Sequence, residues 1–369
     1  MKFTIEAMTL HFYSIPIKSP FRISAGVISH KNALLVEMRT SDGVTGWGEA
    51  SVDAVPYYAH ETVGTVTDIL KKTLFPLLKG REFGRPDEVT DCMDGYRGNH
   101  FAKAAVDAAA WDIYGKMAGE PVWKLLGGTR DRIESGPTVG IKDSPEAALA
   151  EVDAYMARGD ARIKLKVAPG FDTAYIEAIR EKYPDIRLMV DANSAYSIDD
   201  AEHLRSWRRF KLLMMEQPLG ETDIYFHSKL RPGLGTPLCL DESMHYLNDV
   251  RSCGELGAAD IINIKVCRVG GLTKTRRVHD LCRQYGIANW VGGRFGFSVA
   301  VAPRIAAATL PNCSLPTDCV LDLDYMIDDI VEEPFAAPDY WTKVPTAPGL
   351  GFTVDRRKLE KYTVGTMVL

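Results

Sequence analysis

Residues 162–167 read Arg-Ile-Lys-Leu-Lys-Val, a run of strand character carrying two lysines one residue apart. In an extended chain residues i and i+2 face the same way, so Lys164 and Lys166 present both ammonium groups on one face. Burying two neighbouring cations is costly, and the run alone reads as a solvent-facing edge strand. The segments that follow reverse that reading.

Beyond it the chain alternates apolar runs with charged amphipathic segments of helix length. Strand ends are expected near Gly140, Val167, Val190, Met215, Leu240, Ile264, Trp290 and Val320. The marked positions Lys166, Asp191, Glu216, Asp241 and Lys265 follow one another in steps of 25, 25, 25 and 24 residues, the size of one strand-loop-helix-loop unit. Helix-start signals stand between them, at Asp143-Ser144-Pro145-Glu146 and Ser197-Ile198-Asp199-Asp200. Such units, joined by right-handed crossovers, close into a parallel barrel with helices outside. A doubly wound open sheet is the competitor, but no G-x-G-x-x-G opens a helix after the first strand.

Residues 1–125 read as an α+β domain. Strands are expected over Phe3–Phe12, Ala33–Arg39 and Val44–Glu49, with a turn at Ser41-Asp42-Gly43, and helical patterning begins at Glu61. Pro20–Val27 and Ala50–His60 read as irregular loops. The barrel is expected over 126–333, and 334–369 reads as a tail returning to the first domain.

With 369 residues, a net charge of −5 and no run of lysine or arginine, nucleic acid is not an expected partner. Seven cysteines without C-x-x-C spacing point to a reducing compartment, and the cytoplasm is the expected location. The most apolar helical stretch, 102–119, is interrupted by Lys103, Asp107, Asp112 and Lys116, so no membrane partner is expected. The eight histidines show no ligand spacing.

In a parallel barrel the chemistry is built where strands pass into βα loops. Asp191, Glu216 and Asp241 each follow an apolar run and would converge on one mouth. Three carboxylates there repel unless a cation sits among them, and all-oxygen ligation suits Mg²⁺, with Mn²⁺ an acceptable substitute. The alternative makes each acid a helix cap or surface ion pair. Lys166 precedes the acids by one unit and Lys265 follows by one, so the two amines flank the metal. They could take a proton from one face of a carbon and return it to the other. The α-proton of a small-molecule carboxylate is the fitting target, because the metal would stabilise the enediolate left behind. Lys164 would help hold Lys166 neutral by like-charge repulsion, so Lys166 is expected to titrate below a free lysine.

Taken together, RIKLKV, VDANSAY, MEQPL, CLDES and NIKVCRVGG, with GWGEA near the start and PTAPGLG near the end, resemble the enolase superfamily, specifically its muconate-lactonising-enzyme-like subgroup. The resemblance covers essentially the whole chain. It implies a modified (β/α)7β barrel of the TIM type, capped by the N-terminal α+β domain. It also implies Asp191, Glu216 and Asp241 as Mg²⁺ ligands supported by Asn193 and Glu242, and Lys166 and Lys265 as the acid/base pair. Phe21, Ser24, Val27 and Tyr57 fall in the segments matching the loops that enclose substrate, and a homo-oligomer is expected. Val139-Gly140-Ile141 and Leu310-Pro311-Asn312 are similar to the branch of o-succinylbenzoate synthases and N-succinylamino acid racemases. Yet Gly292–Phe297 stands where that branch has a Met-x-Glu type loop. Asp322-Leu323-Asp324 resembles the Asp-x-Asp with which dipeptide epimerases bind an ammonium group, although an acid pair in a loop also serves as a turn. Arg294 could receive a second substrate anion. The expected reaction is racemisation or epimerisation of an N-substituted amino acid or dipeptide. Dehydration, cycloisomerisation and a non-catalytic binding protein remain as alternatives.

Overall fold

The computed structural model describes residues 1–24, 26–160 and 162–369, with only the backbone of Leu321 and Asp322. The N-terminal portion is built on a long antiparallel hairpin, β1 (Phe3–Ile23) and β2 (Gly26–Thr40), followed by β3 (Thr45–Ala50). Thr40 and Gly43 close the turn into β3, where Gly43 takes a positive φ of 83°. The C-terminal strand Thr363–Val368 pairs with β1 at the outer edge of this sheet.

In Pro20–Val27, of which Ala25 lies outside the described residues, the expected loop is largely strand: pairing breaks between Pro16 and Phe21 and then resumes, Phe21 opposite Ile28 and Arg22 opposite Val27. Pro16 and Pro20 lack the N–H that a ladder needs, which gives the stretch its irregular look in sequence, but the interruption is local.

One sheet face packs on α1 (His100–Ala118), whose side chains are almost all buried. A Cβ on Gly46 or Gly48 of β3 would strike the Ala109 or Ala105 carbonyl of that helix, so the two glycines of the GWGEA motif permit the close approach.

The second sheet is parallel and seven-stranded, in chain order: β4 (Thr138–Val139), β5 (Arg162–Lys166), β6 (Arg187–Asp191), β7 (Met215–Glu216), β8 (Leu238–Leu240), β9 (Ile261–Ile264) and β10 (Ala288–Val291). The two helix-start signals hold. Ser144 Oγ accepts from the Ala147 N–H, and Ser197 and Asp200 form a reciprocal capping box. The eighth strand expected to end near Val320 is reduced to single parallel bridges, Asn289 to Cys313 and Ser135 to Thr317, which link β10 back toward the segment before β4. Pro311 and Pro316 cannot donate to a ladder there, and Leu321–Tyr325 turns into a 3₁₀ helix.

The RIKLK strand is interior. It lies between β4 and β6, and Arg162, Lys164 and Lys166 are all buried. Among the described residues no helix is long and apolar enough to cross a membrane.

Candidate active site

Strand register places the charged residues. Lys166 stands opposite Asp191 and Asp191 opposite Glu216, so these three share one row at the strand ends. Glu216 pairs with Cys239, leaving Asp241 two residues further along. The equal spacing in sequence thus becomes a climbing arc, as the tilt and stagger of a closing sheet require.

All three carboxylates are fully or almost fully buried, and each meets cations. Lys164 Nζ lies 2.8 Å from Asp191 Oδ2 and 2.7 Å from Glu216 Oε2. Lys166 Nζ donates to Asp191 Oδ2 at 2.6 Å and to Asn193 Oδ1 at 2.7 Å. Arg268 binds Asp241 Oδ1, and Lys265 Nζ is 3.3 Å from Asp241 Oδ2. Asn193 ties the arc together: its N–H donates to Asp191 Oδ1 at 2.9 Å and its Nδ2 to Glu242 Oε1 at 2.8 Å. Beneath them the Asn263 amide donates to Glu216 Oε1 at 2.7 Å. Gln217 accepts from the Asp241 N–H at 2.9 Å.

Burial, together with the charges of Asp191 and Asp241, pushes Glu216 up to about 8. At Asp191 burial is outweighed by Lys164 and Lys166, which hold it well below the usual carboxylate range. Lys164 is buried too, but Asp191, Glu216 and Asp318 raise it well above an ordinary lysine, so its positive charge is fixed.

The fit of a divalent cation can be judged from these groups. Among the described residues no three acids, imidazoles or thiols close on a common point, and Lys164, Lys166 and Arg268 contact the carboxylate oxygens. The donor set nonetheless suits a hard cation. Glu216 Oε2 and Asp241 Oδ2 are buried without a hydrogen bond of acceptable geometry, although Lys164 and Lys265 lie within ion-pair distance. A carboxylate raised to about 8 by burial and by its neighbours' negative charge is one that a dication would favour in ionised form.

Above the arc opens a cavity lined by Lys164, Lys166 and Lys265. Part of its wall is aromatic: Phe21 meets Phe295 and Tyr325 edge-on at 5.3 and 5.0 Å, and Tyr57 and Tyr58 also line it. Phe21, Tyr57 and Arg294 line it as the sequence suggested. Arg294 Nη2 pairs with Asp53 and its Nε donates to the Ser51 carbonyl, so its charge is already partly met within the site. Ser24 instead donates to the Asn193 carbonyl at 3.1 Å, and Val27 is 61% exposed away from the lining. Asp324 is exposed and pairs with Arg158 at 3.0 Å, and the Asp322 side chain lies outside the described residues.

Several site residues carried no reading in the sequence. Lys31 lines the cavity, buried, with its Nζ donating to the Val52 carbonyl at 3.2 Å; burial lowers it to about 8. Tyr58 OH accepts from Lys265 Nζ at 2.9 Å and from Arg268 Nη2 at 2.8 Å. Asn263 could have been found, since it stands two residues before Lys265 and so on the same face. At Gly296, a Cβ would come within 2.6 Å of Glu49 Oε1, and Glu49 Oε2 accepts from the Phe297 N–H at 3.0 Å. The loop after β10 therefore takes carboxylate contacts from both portions, Glu49 of the N-terminal domain at the Phe297 N–H and Asp318 of the barrel at the Gly293 N–H.

Comparison with known proteins agrees with this architecture. Residues 5–127 match the mandelate racemase / muconate lactonizing enzyme N-terminal domain model, and residues 147–358 the enolase C-terminal domain-like model. An o-succinylbenzoate synthase of Geobacillus kaustophilus is 41% identical over 363 residues, covering 98% of this chain and 97% of that one. An N-succinylamino acid racemase of Thermus thermophilus is 36% identical over 360 residues, covering 98% and 97%. A solved enolase-superfamily protein from Listeria innocua superposes with a TM-score of 0.96 at 34% identity, covering 100% of this chain and 99% of the other. The chain belongs to the enolase superfamily, in its mandelate racemase / muconate lactonizing enzyme group.

Proposed function

We propose that the protein is a Mg²⁺-dependent racemase of N-acylated amino acids, which removes the α-proton of the substrate carboxylate with one lysine and reprotonates the carbon with the other. The observation that carries this is the placement of the two amines. Lys166 Nζ donates to Asp191 and Asn193, and Lys265 Nζ donates to Tyr58 with Asp241 at 3.3 Å. Both side chains line the same cavity. Their strands, β5 and β9, are four places apart in the sheet, on opposing sides of a barrel mouth.

Bound Mg²⁺, held by Asp191, Glu216 and Asp241, would offset the negative charge that builds on the substrate carboxylate as the proton leaves. Lys164 adds a fixed positive charge beneath the same place. The aromatic wall of Phe21, Phe295 and Tyr325 suits an apolar amino-acid side chain. An N-acyl group is favoured over a dipeptide because Asp324 pairs with Arg158 rather than lining the cavity, and the two acids that do line it, Asp53 and Asp318, are paired with Arg294 and Lys164. The racemase relative from Thermus thermophilus supports the same reading.

Dehydration of the o-succinylbenzoate synthase type is the second reading, favoured by the 41% identical relative. It uses the same removal of an α-proton, followed by departure of hydroxide. The two separate by product: in deuterated water racemisation changes mass only by deuterium, whereas dehydration loses water. N-succinyl amino acids and a β-hydroxy dicarboxylate, each offered with Mg²⁺, are the substrates to compare. We place the protein in a reducing compartment, consistent with seven cysteines of which none is disulfide-bonded among the described residues.

A further inference from the structure

Building on that reading, we propose that Tyr58 is the positioning residue for Lys265, so that the N-terminal domain aims one of the two bases while the barrel alone aims the other.

The phenol sits in the segment between β3 and the helix that begins at Val63, is half-buried, and its hydroxyl reaches across to Lys265 and Arg268 of the barrel. Three cations surround it. Lys265 and Arg268 donate to its oxygen at 2.9 and 2.8 Å, and the Arg294 guanidinium carbon lies 4.5 Å from its ring centroid. Lys265 is itself 5.3 Å from that centroid. A phenol attracts cations both at its oxygen and over its ring face, so the contact fixes the end of an otherwise flexible four-carbon stem.

The two lysines differ in where their acceptors come from. Lys166 is held at 2.6 and 2.7 Å by Asp191 and Asn193, both within the barrel. The N-terminal domain touches that side through Ser24, which meets only the Asn193 backbone carbonyl. Lys265 has one short contact, to Tyr58, and a 3.3 Å approach to Asp241. Loss of the hydroxyl therefore leaves Lys265 with a single long contact and leaves Lys166 unaltered. Since a base displaced by about 1 Å loses about 100-fold in rate, the effect should fall on one face of the substrate.

The test uses Tyr58→Phe, which keeps the ring under the cations and removes only the oxygen. The full-length protein with Mg²⁺ is incubated in deuterated water with N-succinyl-L-phenylalanine and, separately, its D enantiomer. α-Deuterium incorporated with retention of configuration is read at early times. Lys265→Ala identifies which enantiomer presents its proton to Lys265. For that enantiomer Tyr58→Phe should slow exchange about 10- to 100-fold. For the other, exchange should stay within about 3-fold of the unaltered protein, which also shows that the variant is folded. Equal slowing of both enantiomers would mean that Tyr58 acts on the whole site through Arg268 and Asp241, and would overturn the proposal, as would no slowing of either. If the unaltered protein exchanges neither enantiomer, the racemase reading itself fails and the proposal with it.

Discussion

Gly292→Ala should destabilise the protein through a residue it never bonds to. Gly292 follows β10, and a Cβ built on it would lie 2.5 Å from Asn263 Nδ2 and 2.8 Å from its Cγ. The Asn263 amide is fully buried and is not free to swing away, because its Nδ2 donates to Glu216 Oε1 at 2.7 Å. The new methyl must either strain the packing, which costs about 1–3 kcal/mol, or push the amide off its hydrogen bond and leave the buried Glu216 carboxyl short of a donor, at about 1–3 kcal/mol. The expected destabilisation is therefore about 1–3 kcal/mol, measured by urea unfolding without added metal. Asn263→Ala alone should cost about 1–3 kcal/mol by leaving Glu216 short of a donor. In the double variant the methyl has room and the hydrogen bond is already gone, so its cost should fall at least about 1 kcal/mol below the sum of the singles. Additive costs, or a Gly292→Ala protein within about 0.5 kcal/mol of the unaltered one, would refute the idea that this glycine exists to seat Asn263 beneath Glu216.

Other perturbations have equally definite outcomes. Asp107 of α1 is buried between Thr90 and the Thr273 N–H, and burial raises it to about 6. Because its folded value exceeds that of an unfolded aspartate, its contribution is full below about pH 4 and is lost as pH rises through about 6, a change of order 2–3 kcal/mol. Asp107→Asn should flatten that part of a plot of stability against pH, and an unchanged slope would argue against it. Mg²⁺ should raise the thermal midpoint, with about 2.7 kcal/mol of stabilisation at 100 times its Kd, and Glu216→Gln should remove most of the rise; an undiminished shift in the variant would place the cation elsewhere. Asp324→Ala should leave kcat/KM within about 2-fold because it faces Arg158, whereas Phe21→Ala should lower it about 10-fold or more through lost contact area. The reverse ranking would mean that the substrate lies nearer Asp324 than Phe21.

What could be read in the sequence and what could not differ for physical reasons. Asp191, Glu216 and Asp241 were legible because each ends an apolar run, and apolar runs at a fixed interval are what a repeated βα unit leaves in a sequence. Their stagger was not, because equal spacing along the chain says nothing of register, and Glu216 pairs with Cys239 rather than with Asp241. The eighth strand was overread at Val320, where prolines at 311 and 316 leave only isolated bridges. Pro20–Val27 was underread for the same cause, since Phe21 and Arg22 resume the pairing that the prolines interrupt. Lys31 and Tyr58 belong to a strand and a loop whose outward residues become interior only when the N-terminal portion docks on the barrel mouth. No periodicity within either segment reports that contact, and so Tyr57 was singled out where its neighbour Tyr58 makes the hydrogen bonds to Lys265 and Arg268.

Two lysines serving opposite faces of one α-carbon is the central claim, and single-turnover exchange tests it most directly. Lys166→Ala and Lys265→Ala, each with Mg²⁺ in deuterated water, are offered the two enantiomers of an N-succinyl amino acid. The expected result is that neither variant racemises, while each still deuterates one enantiomer, and not the same one, with retention. Both variants deuterating the same enantiomer, or either retaining full racemisation, would contradict the account.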